Sequence, residues 1–271
     1  MQSIEKLKKL RAKRILLQIP EGMKMQAQSL ADMLKKQGFE VFICCEPCYG
    51  ACDVRDHEAK LLKCDAILHI GHSPLNLDTE VPVIFEEFFL NVDVKEILKK
   101  FANKIEFKKI CLLASLQYVN ALKDAKDFLE SIGKKVMIKK PAKARYPGQI
   151  LGCDYSAADD EADCYLVISS GTFHAKGLAK IAKKPVFLLD VERKVLEKIE
   201  VKDLKPLWME LANDYENFGI LISTKPGQFR LQDALNAKRM LEEIGKKVWM
   251  LVFDEIRPEM LLGLKLDCLV N

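Results

Sequence analysis

The sequence predicts an α/β protein of three similar domains, each a small, mainly parallel sheet flanked by helices. Two observations carry this prediction. Short apolar runs alternate with amphipathic segments along the chain, and the same order of segments occurs three times. Strand–helix–strand units of this kind form parallel sheets through right-handed crossovers. We place the three domains at residues 1–100, 101–205 and 206–271.

Each repeat follows the same order of strand and helix patterns. In the first repeat, strands are predicted at 14–22, 39–45, 65–73 and 81–88, and helices at 25–38 and 51–63. In the second, strands are predicted at 108–116, 134–140, 163–174 and 184–192, and a helix at 120–133. In the third, strands are predicted at 217–228, 246–255 and 267–271, and a helix at 231–245.

Two kinds of residue align the repeats. A glycine stands where a helix of each repeat should end, and it supplies the left-handed conformation cheaply: Gly38, Gly133 and Gly245. An aspartate opens a later strand pattern in each repeat: Asp65, Asp163 and Asp267. Parallel sheets bind ligands outside the carboxyl ends of their strands, so we expect the functional site in the loops that follow them.

Charge and composition exclude several classes of protein. The chain has 43 Lys and Arg against 39 Asp and Glu, and a formal net charge of +4 is too small for a dedicated nucleic-acid surface. The charged start lacks an apolar signal segment, and no apolar stretch is long enough to span a membrane, so we expect a cytoplasmic protein. Nine cysteines in that reducing compartment are expected to be buried thiols, ligands or a nucleophile.

The cysteines divide by position. Five lie in or beside apolar runs or at helix ends and are expected to be packing residues: Cys44, Cys45, Cys64, Cys111 and Cys164. Cys48 and Cys52 lie in a loop before a helix pattern, where a thiolate is stabilised, and Cys153 takes the place of Cys52 in the second repeat. The lone Cys45–Cys48 CxxC has no partner pair for a zinc ribbon, although a redox role stays open. One thiolate from each domain around a central site would hold an iron–sulfur cluster with one open iron.

Seven strings resemble the archaeal diphthamide synthase family, whose members make 2-(3-amino-3-carboxypropyl)histidine. They are IPEG (19–22), CYGACD (48–53), HIGHS (69–73), GQILGCD (148–154), SSGTFH (169–174), STKPGQ (223–228) and DEIRPE (254–259). The resemblance implies a homodimer in which each domain gives one cysteine to a [4Fe–4S] cluster, and S-adenosylmethionine binds the unique iron. It also implies an electron donor and a 3-amino-3-carboxypropyl radical that adds to C2 of a histidine of translation elongation factor 2, with methylthioadenosine as by-product.

By this resemblance the first cluster ligand falls on Cys52 and the second on Cys153. The family's third ligand lies in a Cys-Pro-Arg string after the strand that reads LDCLVN here, so we expect it just beyond Asn271. Cys268 lies inside that strand and is the weaker candidate. A chain without the third ligand is expected to hold its cluster poorly.

Loops that follow strands are expected to bind S-adenosylmethionine. Glycine N–H groups and polar side chains there can hydrogen bond its ribose, amino and carboxylate groups, and the candidates are Glu21, Gly22, Ser73, Thr172 and Gln228. The alternative for each residue is an ordinary turn at a strand end. His72 and His174 occupy corresponding loops and are expected to face the same cleft.

Two other functions remain open from the sequence. One is a cysteine- or zinc-dependent metabolic enzyme on a tandem α/β scaffold, using Cys52 with His57 or His72, and it predicts a colourless protein. The other is a non-catalytic partner subunit of an active paralogue.

Overall fold

A computed structural model describes residues 2–101, 104, 106–201, 213–225 and 227–271. The chain divides into two compact units, Met1–Val201 and Lys202–Asn271. Two sheets lie in the first unit and one in the second. The predicted boundary between residues 205 and 206 lies outside the described residues, and the division into three domains stays a prediction.

The first sheet is wholly parallel, with the strand order β2-β1-β3-β4. Its strands are β1 (Arg14–Gln18), β2 (Glu40–Ile43), β3 (Ala66–Ile70) and β4 (Val83–Glu86). Its helices are α1 (Gln2–Lys9), α2 (Ala27–Lys36) and α3 (Asp56–Leu61), and a 3₁₀ turn (Glu21–Gln26) precedes α2. Helices α1 and α2 bury Leu7 and Leu34 in one core, and α3 buries Ala59 in another with Ile67 of β3.

The second sheet has the order β6-β5-β7-β8-β9 and is parallel except for its last strand. Its strands are β5 (Lys109–Ala114), β6 (Lys135–Met137), β7 (Cys164–Ser169), β8 (Val186–Asp190) and β9 (Val195–Ile199). Its helices are α4 (Val94–Phe101), α5 (Ala121–Ser131) and α6 (Phe173–Ile181), with a 3₁₀ turn at Leu116–Tyr118. Alternate residues of the central strand β7 enter two apolar cores, because that strand is buried on both faces.

The third sheet, in the second unit, is parallel with the order β11-β10-β12. Its strands are β10 (Asn217–Ser223), β11 (Lys247–Phe253) and β12 (Cys268–Val270). Helix α7 (Leu231–Glu243) connects β10 to β11, and a 3₁₀ turn (Pro258–Leu261) precedes β12. Its core is small, with Ile220, Ile222 and Ala234 as the buried members.

The predicted α/β class with mainly parallel sheets is confirmed, and the residues that aligned the repeats have equivalent conformations. Gly38, Gly133 and Gly245 follow α2, α5 and α7 with φ of +93°, +83° and +81°. Each therefore adopts the left-handed conformation that the sequence predicted for a helix end.

The three aligned aspartates also share one role. The carboxylate of each accepts backbone N–H groups at the start of the first strand of its sheet, over 2.7–3.1 Å: Asp65 from Lys13 and Arg14, Asp163 from Lys109, and Asp267 from Glu216 and Asn217. These hydrogen bonds lower the pKa of Asp65 and of Asp267. Each aspartate thereby ties the amino ends of two neighbouring strands together.

The structure differs from the predicted elements in several places. Four elements were not predicted: helices α1, α4 and α6 and strand β9. Helix α6 contains Gly177 and strand β9 is only partly buried, so neither shows a strong periodic pattern of apolar residues. Helix α3 begins at Asp56 because residues 49–53 are held in a turn by Asp53. No helix within the described ranges is both long and apolar enough to cross a membrane.

Of the five cysteines expected to be packing residues, four are buried and one is exposed. Cys44, Cys64, Cys111 and Cys164 are buried, and burial raises the pKa of Cys111 to about 11 and that of Cys164 to about 12. Cys45 is exposed instead, because β2 ends at Ile43 and the chain leaves the sheet before it. The prediction for Cys45 is therefore wrong.

Candidate functional site

The loop that carries Cys52 is fixed at the carboxyl end of β1. The buried carboxylate of Asp53 accepts the backbone N–H groups of Tyr49 at 2.7 Å and Gly50 at 3.0 Å. Gln18, the last residue of β1, donates its side-chain amide to the carbonyl oxygen of Asp53 and accepts the Arg55 N–H at 3.3 Å. Cys52 is half-buried within this braced turn.

The loop that carries Cys153 is fixed in an equivalent way at the carboxyl end of β5. The Ala114 N–H donates to the Gly148 carbonyl at 2.8 Å, and the Ile150 N–H donates to the Ala114 carbonyl at 2.9 Å. Asp154 then accepts three backbone N–H groups over 2.8–3.2 Å, from Lys143, Ala144 and Ser156. Burial opposes the shift, but hydrogen bonds including these lower the pKa of Asp154.

Cys52 and Cys153 thus share a structural setting. Each directly precedes a buried aspartate that organises its loop. Each loop follows the second strand of its sheet and is hydrogen bonded to the last residue of the first strand, Gln18 of β1 or Ala114 of β5. Cys153 is exposed and Cys52 is half-buried, whereas four of the cysteines expected to be packing residues are buried. Accessible thiols on fixed loops are the donor set that an iron–sulfur cluster requires, so these two residues fit such a group. Each cysteine of the chain is present as a thiol and not in a disulfide.

Helix α6 packs against the Cys153 loop. A Cβ atom on Gly152 would lie 2.9 Å from the ring of Phe173, the first residue of α6. The hydroxyl of Tyr155 lies against Gly177, where an added Cβ would overlap it. The SSGTFH segment and the GQILGCD segment are therefore neighbours in the structure. Thr172 directly precedes Phe173, the residue that contacts the Cys153 loop.

Ser73 lies between the loops of the first two sheets. It is buried, and its hydroxyl accepts the side-chain amide of Gln149 at 2.9 Å. The Gln149 carbonyl oxygen accepts the backbone N–H groups of Arg145 and Tyr146, both at 3.1 Å. Gln117 donates its side-chain amide to the carbonyl of Gly71 at 3.2 Å. The HIGHS loop is therefore bound to the second sheet at the end where both cysteine loops emerge.

The other predicted S-adenosylmethionine residues lie on or near loops after parallel strands. Glu21 and Gly22 are exposed after β1, and Glu21 makes an ion pair of 2.6 Å with Lys24. Thr172 is half-buried directly before α6. Gln228 is exposed in the second unit, where its backbone N–H donates to Lys225 at 2.8 Å.

The two histidines that were expected to face a cleft have different surroundings. His174 is half-buried on α6 against Phe173, and burial lowers its pKa to about 4. His72 is half-buried with its Nδ1 atom 2.9 Å from the Nε2 atom of His69. Cys268 lies within β12 and pairs with Phe218 of β10, as its position in a strand pattern predicted.

A cluster of three ligand-type side chains was not found from the sequence. The Cys48 sulfur lies 3.7 Å from Nε2 of His69, and with Nδ1 of His72 these atoms are all within 4.8 Å of one another. Cys48 and His72 had been singled out separately, but His69 sits in the apolar strand pattern of β3 and gave no signal of its own. Burial raises the pKa of Cys48 to about 12 and lowers that of His69 to about 3.

Proteins of known family resemble this chain over most of its length. A family described as "Putative diphthamide synthesis protein" matches residues 19–271. The 2-(3-amino-3-carboxypropyl)histidine synthase of Pyrococcus horikoshii is 38% identical over 98% of this chain and 80% of its own length. The enzyme of the same name from Methanocaldococcus jannaschii is 27% identical over 100% of this chain and 79% of its own.

A solved structure shows the same fold. It is a crystal structure of Dph2 from Pyrococcus horikoshii with a 4Fe-4S cluster, which matches 99% of this chain and 81% of that one at 37% identity, with a TM-score of 0.91. The match extends over all three sheets and both cysteine loops. The chain therefore belongs to the diphthamide synthesis family, that of the 2-(3-amino-3-carboxypropyl)histidine synthases.

Proposed function

We propose that this chain transfers the 3-amino-3-carboxypropyl group of S-adenosylmethionine to C2 of a histidine of translation elongation factor 2, the first step of diphthamide biosynthesis. The observation that carries the proposal is the pair of equivalent cysteine loops in a chain of this family. The relatives that share the fold bear the name of that synthase.

Cys52 and Cys153 are proposed to hold a [4Fe–4S] cluster together with one thiolate from the third domain. When bound and reduced, such a cluster supplies the electron that breaks a sulfonium carbon–sulfur bond, so the transfer is a radical reaction. Cys268 is the weaker candidate for the third thiolate, because β12 holds it in the sheet rather than in a loop. The domains 1–100 and 101–205 each contribute one ligand, and the third is proposed just beyond Asn271, after the strand that ends the domain at 206–271.

The aspartates beside the two cysteines are proposed to position the thiols. Asp53 and Asp154 each use a carboxylate to gather backbone N–H groups, so the cysteine before each is presented on a turn that cannot easily unwind. Preorganised ligands lower the cost of ordering the loop when the cluster assembles. These residues act through loop geometry and need no contact with substrate.

The loops after the parallel strands are proposed to bind S-adenosylmethionine. Glu21 and Gly22, on the exposed turn after β1, can offer a carboxylate and a backbone N–H to its polar groups. Ser73 keeps its hydroxyl hydrogen to donate, since the bond from Gln149 uses an oxygen lone pair. Thr172 and Gln228 complete the proposed set; Thr172 is half-buried and Gln228 is exposed.

The proposed acceptor and electron donor follow from the reaction, and the proposed homodimer follows from the family resemblance. Elongation factor 2 is the acceptor, a separate electron donor reduces the cluster, and two copies of the chain form a homodimer. The nine thiols, none in a disulfide, favour a reducing compartment such as the cytoplasm.

The first experiment measures iron and sulfide after anaerobic purification and reconstitution of a chain that carries the third ligand proposed beyond Asn271. We expect a brown protein whose iron content falls strongly in Cys52→Ala and in Cys153→Ala. Cys45→Ala is the matched control, because Cys45 is exposed and lies seven residues before Cys52. A Cys268→Ala variant tests the weaker third candidate. A colourless preparation, or iron content independent of both loop cysteines, would refute the cluster and favour a thiol- or zinc-dependent enzyme.

The second experiment measures the reaction. Incubation with S-adenosylmethionine, dithionite and elongation factor 2 should release methylthioadenosine and increase the mass of the factor by one aminocarboxypropyl group. Replacement of the target histidine of the factor is the control. Cluster formation without either product would point to a partner subunit rather than to an active transferase.

A further inference from the structure

We propose that Cys48, His69 and His72 form a binding site for a single zinc-like divalent cation, distinct from the cysteines proposed to hold the cluster. The three residues come from the loop after β2, from β3 and from the loop after β3. All lie in the first compact unit. This site is independent of the proposed transferase reaction.

The ligand atoms have the spacing that one small cation requires. Zinc binds sulfur at about 2.3 Å and imidazole nitrogen at about 2.0–2.1 Å, so ligand atoms around a tetrahedral ion lie about 3.3–3.7 Å apart. The Cys48 sulfur and Nε2 of His69 are 3.7 Å apart, and all three atoms lie within 4.8 Å of one another. The 2.9 Å between the two histidine nitrogens is shorter, and the half-buried ring of His72 is the one with room to adjust.

Hydrogen bonds alone do not satisfy this cluster. Nε2 of His69 faces both the Cys48 sulfur and Nδ1 of His72, so one hydrogen or one lone pair would have to serve two partners. A cation at the centre of the cluster would accept one lone pair from each of the three converging atoms.

The protonation states suit a cation as well. Burial, with a smaller contribution from His72, keeps the His69 imidazole neutral, which is the form that binds metal. Burial also keeps Cys48 protonated when no cation is present, and an entering cation displaces that proton. Burial lowers the pKa of His72, and the nearby carboxylate of Asp53 opposes that shift. The same carboxylate adds to the effect of burial in raising the pKa of Cys48. One thiolate and this carboxylate together offset the charge of a divalent ion.

The ligand types select the metal. A sulfur and two imidazole nitrogens favour zinc and similar ions over magnesium or calcium, which prefer oxygen. Three protein ligands leave a fourth position for water or another group. His72, the only half-buried member of the three, marks the side from which the ion would enter.

The test is a metal measurement on the full chain. Zinc is determined after purification and dialysis in the parent protein, in Cys48→Ser, in His69→Gln, and in the matched control Cys64→Ser, whose cysteine is buried outside the cluster. The same is done in Cys52→Ala/Cys153→Ala, which lacks the proposed cluster ligands. We expect about one zinc per chain in the parent, Cys64→Ser and Cys52→Ala/Cys153→Ala proteins, and a loss of that zinc in the other two.

Cobalt gives a second readout in the colourless Cys52→Ala/Cys153→Ala background. Titration with Co²⁺ should produce a thiolate-to-cobalt absorption band that disappears when Cys48→Ser is added. After the bound metal has been removed with a chelator, added Zn²⁺ should raise the melting temperature of the parent and Cys64→Ser proteins but not that of Cys48→Ser. The melting curves also show whether each variant folds. No bound zinc and no cobalt band would overturn the proposal, as would zinc lost together with iron from Cys52→Ala/Cys153→Ala. Failure of the transferase proposal would instead appear as missing iron with zinc retained.

Discussion

Replacing Gly148 with alanine should strongly destabilise the first compact unit. Gly148 has a φ of +73°, and a left-handed conformation costs about 1–2 kcal/mol for a residue with a Cβ atom. That Cβ would also lie 2.6 Å from Cδ1 of Leu122, 3.0 Å from Cγ2 of Ile138 and 3.1 Å from the backbone oxygen of Leu112. Overpacking of this kind costs about 1–3 kcal/mol. The free energy of unfolding should therefore fall by about 2–5 kcal/mol.

Gly133→Ala separates the two costs. Gly133 has a φ of +83°, and nothing lies within 4 Å of its added Cβ, so only the backbone cost of about 1–2 kcal/mol applies. Urea unfolding followed by circular dichroism measures both variants against the parent protein. If Gly148→Ala costs no more than Gly133→Ala, the close packing around Gly148 contributes nothing and the reasoning is refuted.

The same substitution should affect the Cys153 loop. Gly148 donates its N–H to the Lys139 carbonyl at 2.8 Å and accepts the Ala114 N–H at 2.8 Å, so it fixes the start of that loop beside β5. A displaced Gly148 should lower the iron content of reconstituted protein, whereas Gly133→Ala should leave it near that of the parent.

Two further predictions concern pH and the repeated aspartates. Because burial lowers the pKa of His174 to about 4 from its usual 6.5, the unfolded chain binds a proton there before the folded chain does. As the pH is lowered from 6.5 to 4, the free energy of unfolding should fall, because unfolding takes up about one proton at this residue. The slope from His174 should approach 1.4 kcal/mol per pH unit. His174→Asn should flatten the profile by that amount, and an unchanged profile would contradict the burial effect. Asp163→Ala should cost about 1 kcal/mol by losing the Lys109 N–H, whereas Asp127→Ala, on the exposed face of α5, should cost less in the same urea measurement, and equal costs would refute the role of Asp163.

Much of the fold could be predicted because it repeats. Gly38, Gly133 and Gly245 have the left-handed conformation expected at a helix end, and the apolar runs around them became parallel strands. Strand β9 and helix α6 escaped prediction because partial burial in one and a glycine in the other weaken the periodic pattern. The predicted burial of Cys45 was wrong because the strand pattern extended further than the strand: β2 ends at Ile43, two residues before Cys45.

One part of the candidate site could be predicted from the sequence and another part could not. The equivalence of Cys52 and Cys153 was visible in the sequence, because each precedes an aspartate in a matching loop. The convergence of His69 with Cys48 was not, since it depends on a side chain of β3 pointing toward a loop 21 residues earlier. A histidine within an apolar run has no local pattern that distinguishes a packed ring from a ligand.

The aspartate at the amino end of each sheet gives the two ends different roles: the amino end holds the strands in place, and the carboxyl end carries the loops of the candidate site. Asp65, Asp163 and Asp267 fix the relative positions of neighbouring strands before the chain reaches the opposite edge. Loops at that opposite edge can then lengthen, shorten or change composition without sliding one strand against the next. A new loop could therefore be placed after β10 without rebuilding the sheet beneath it, because Asp267 holds β10 and β12 together at their other end.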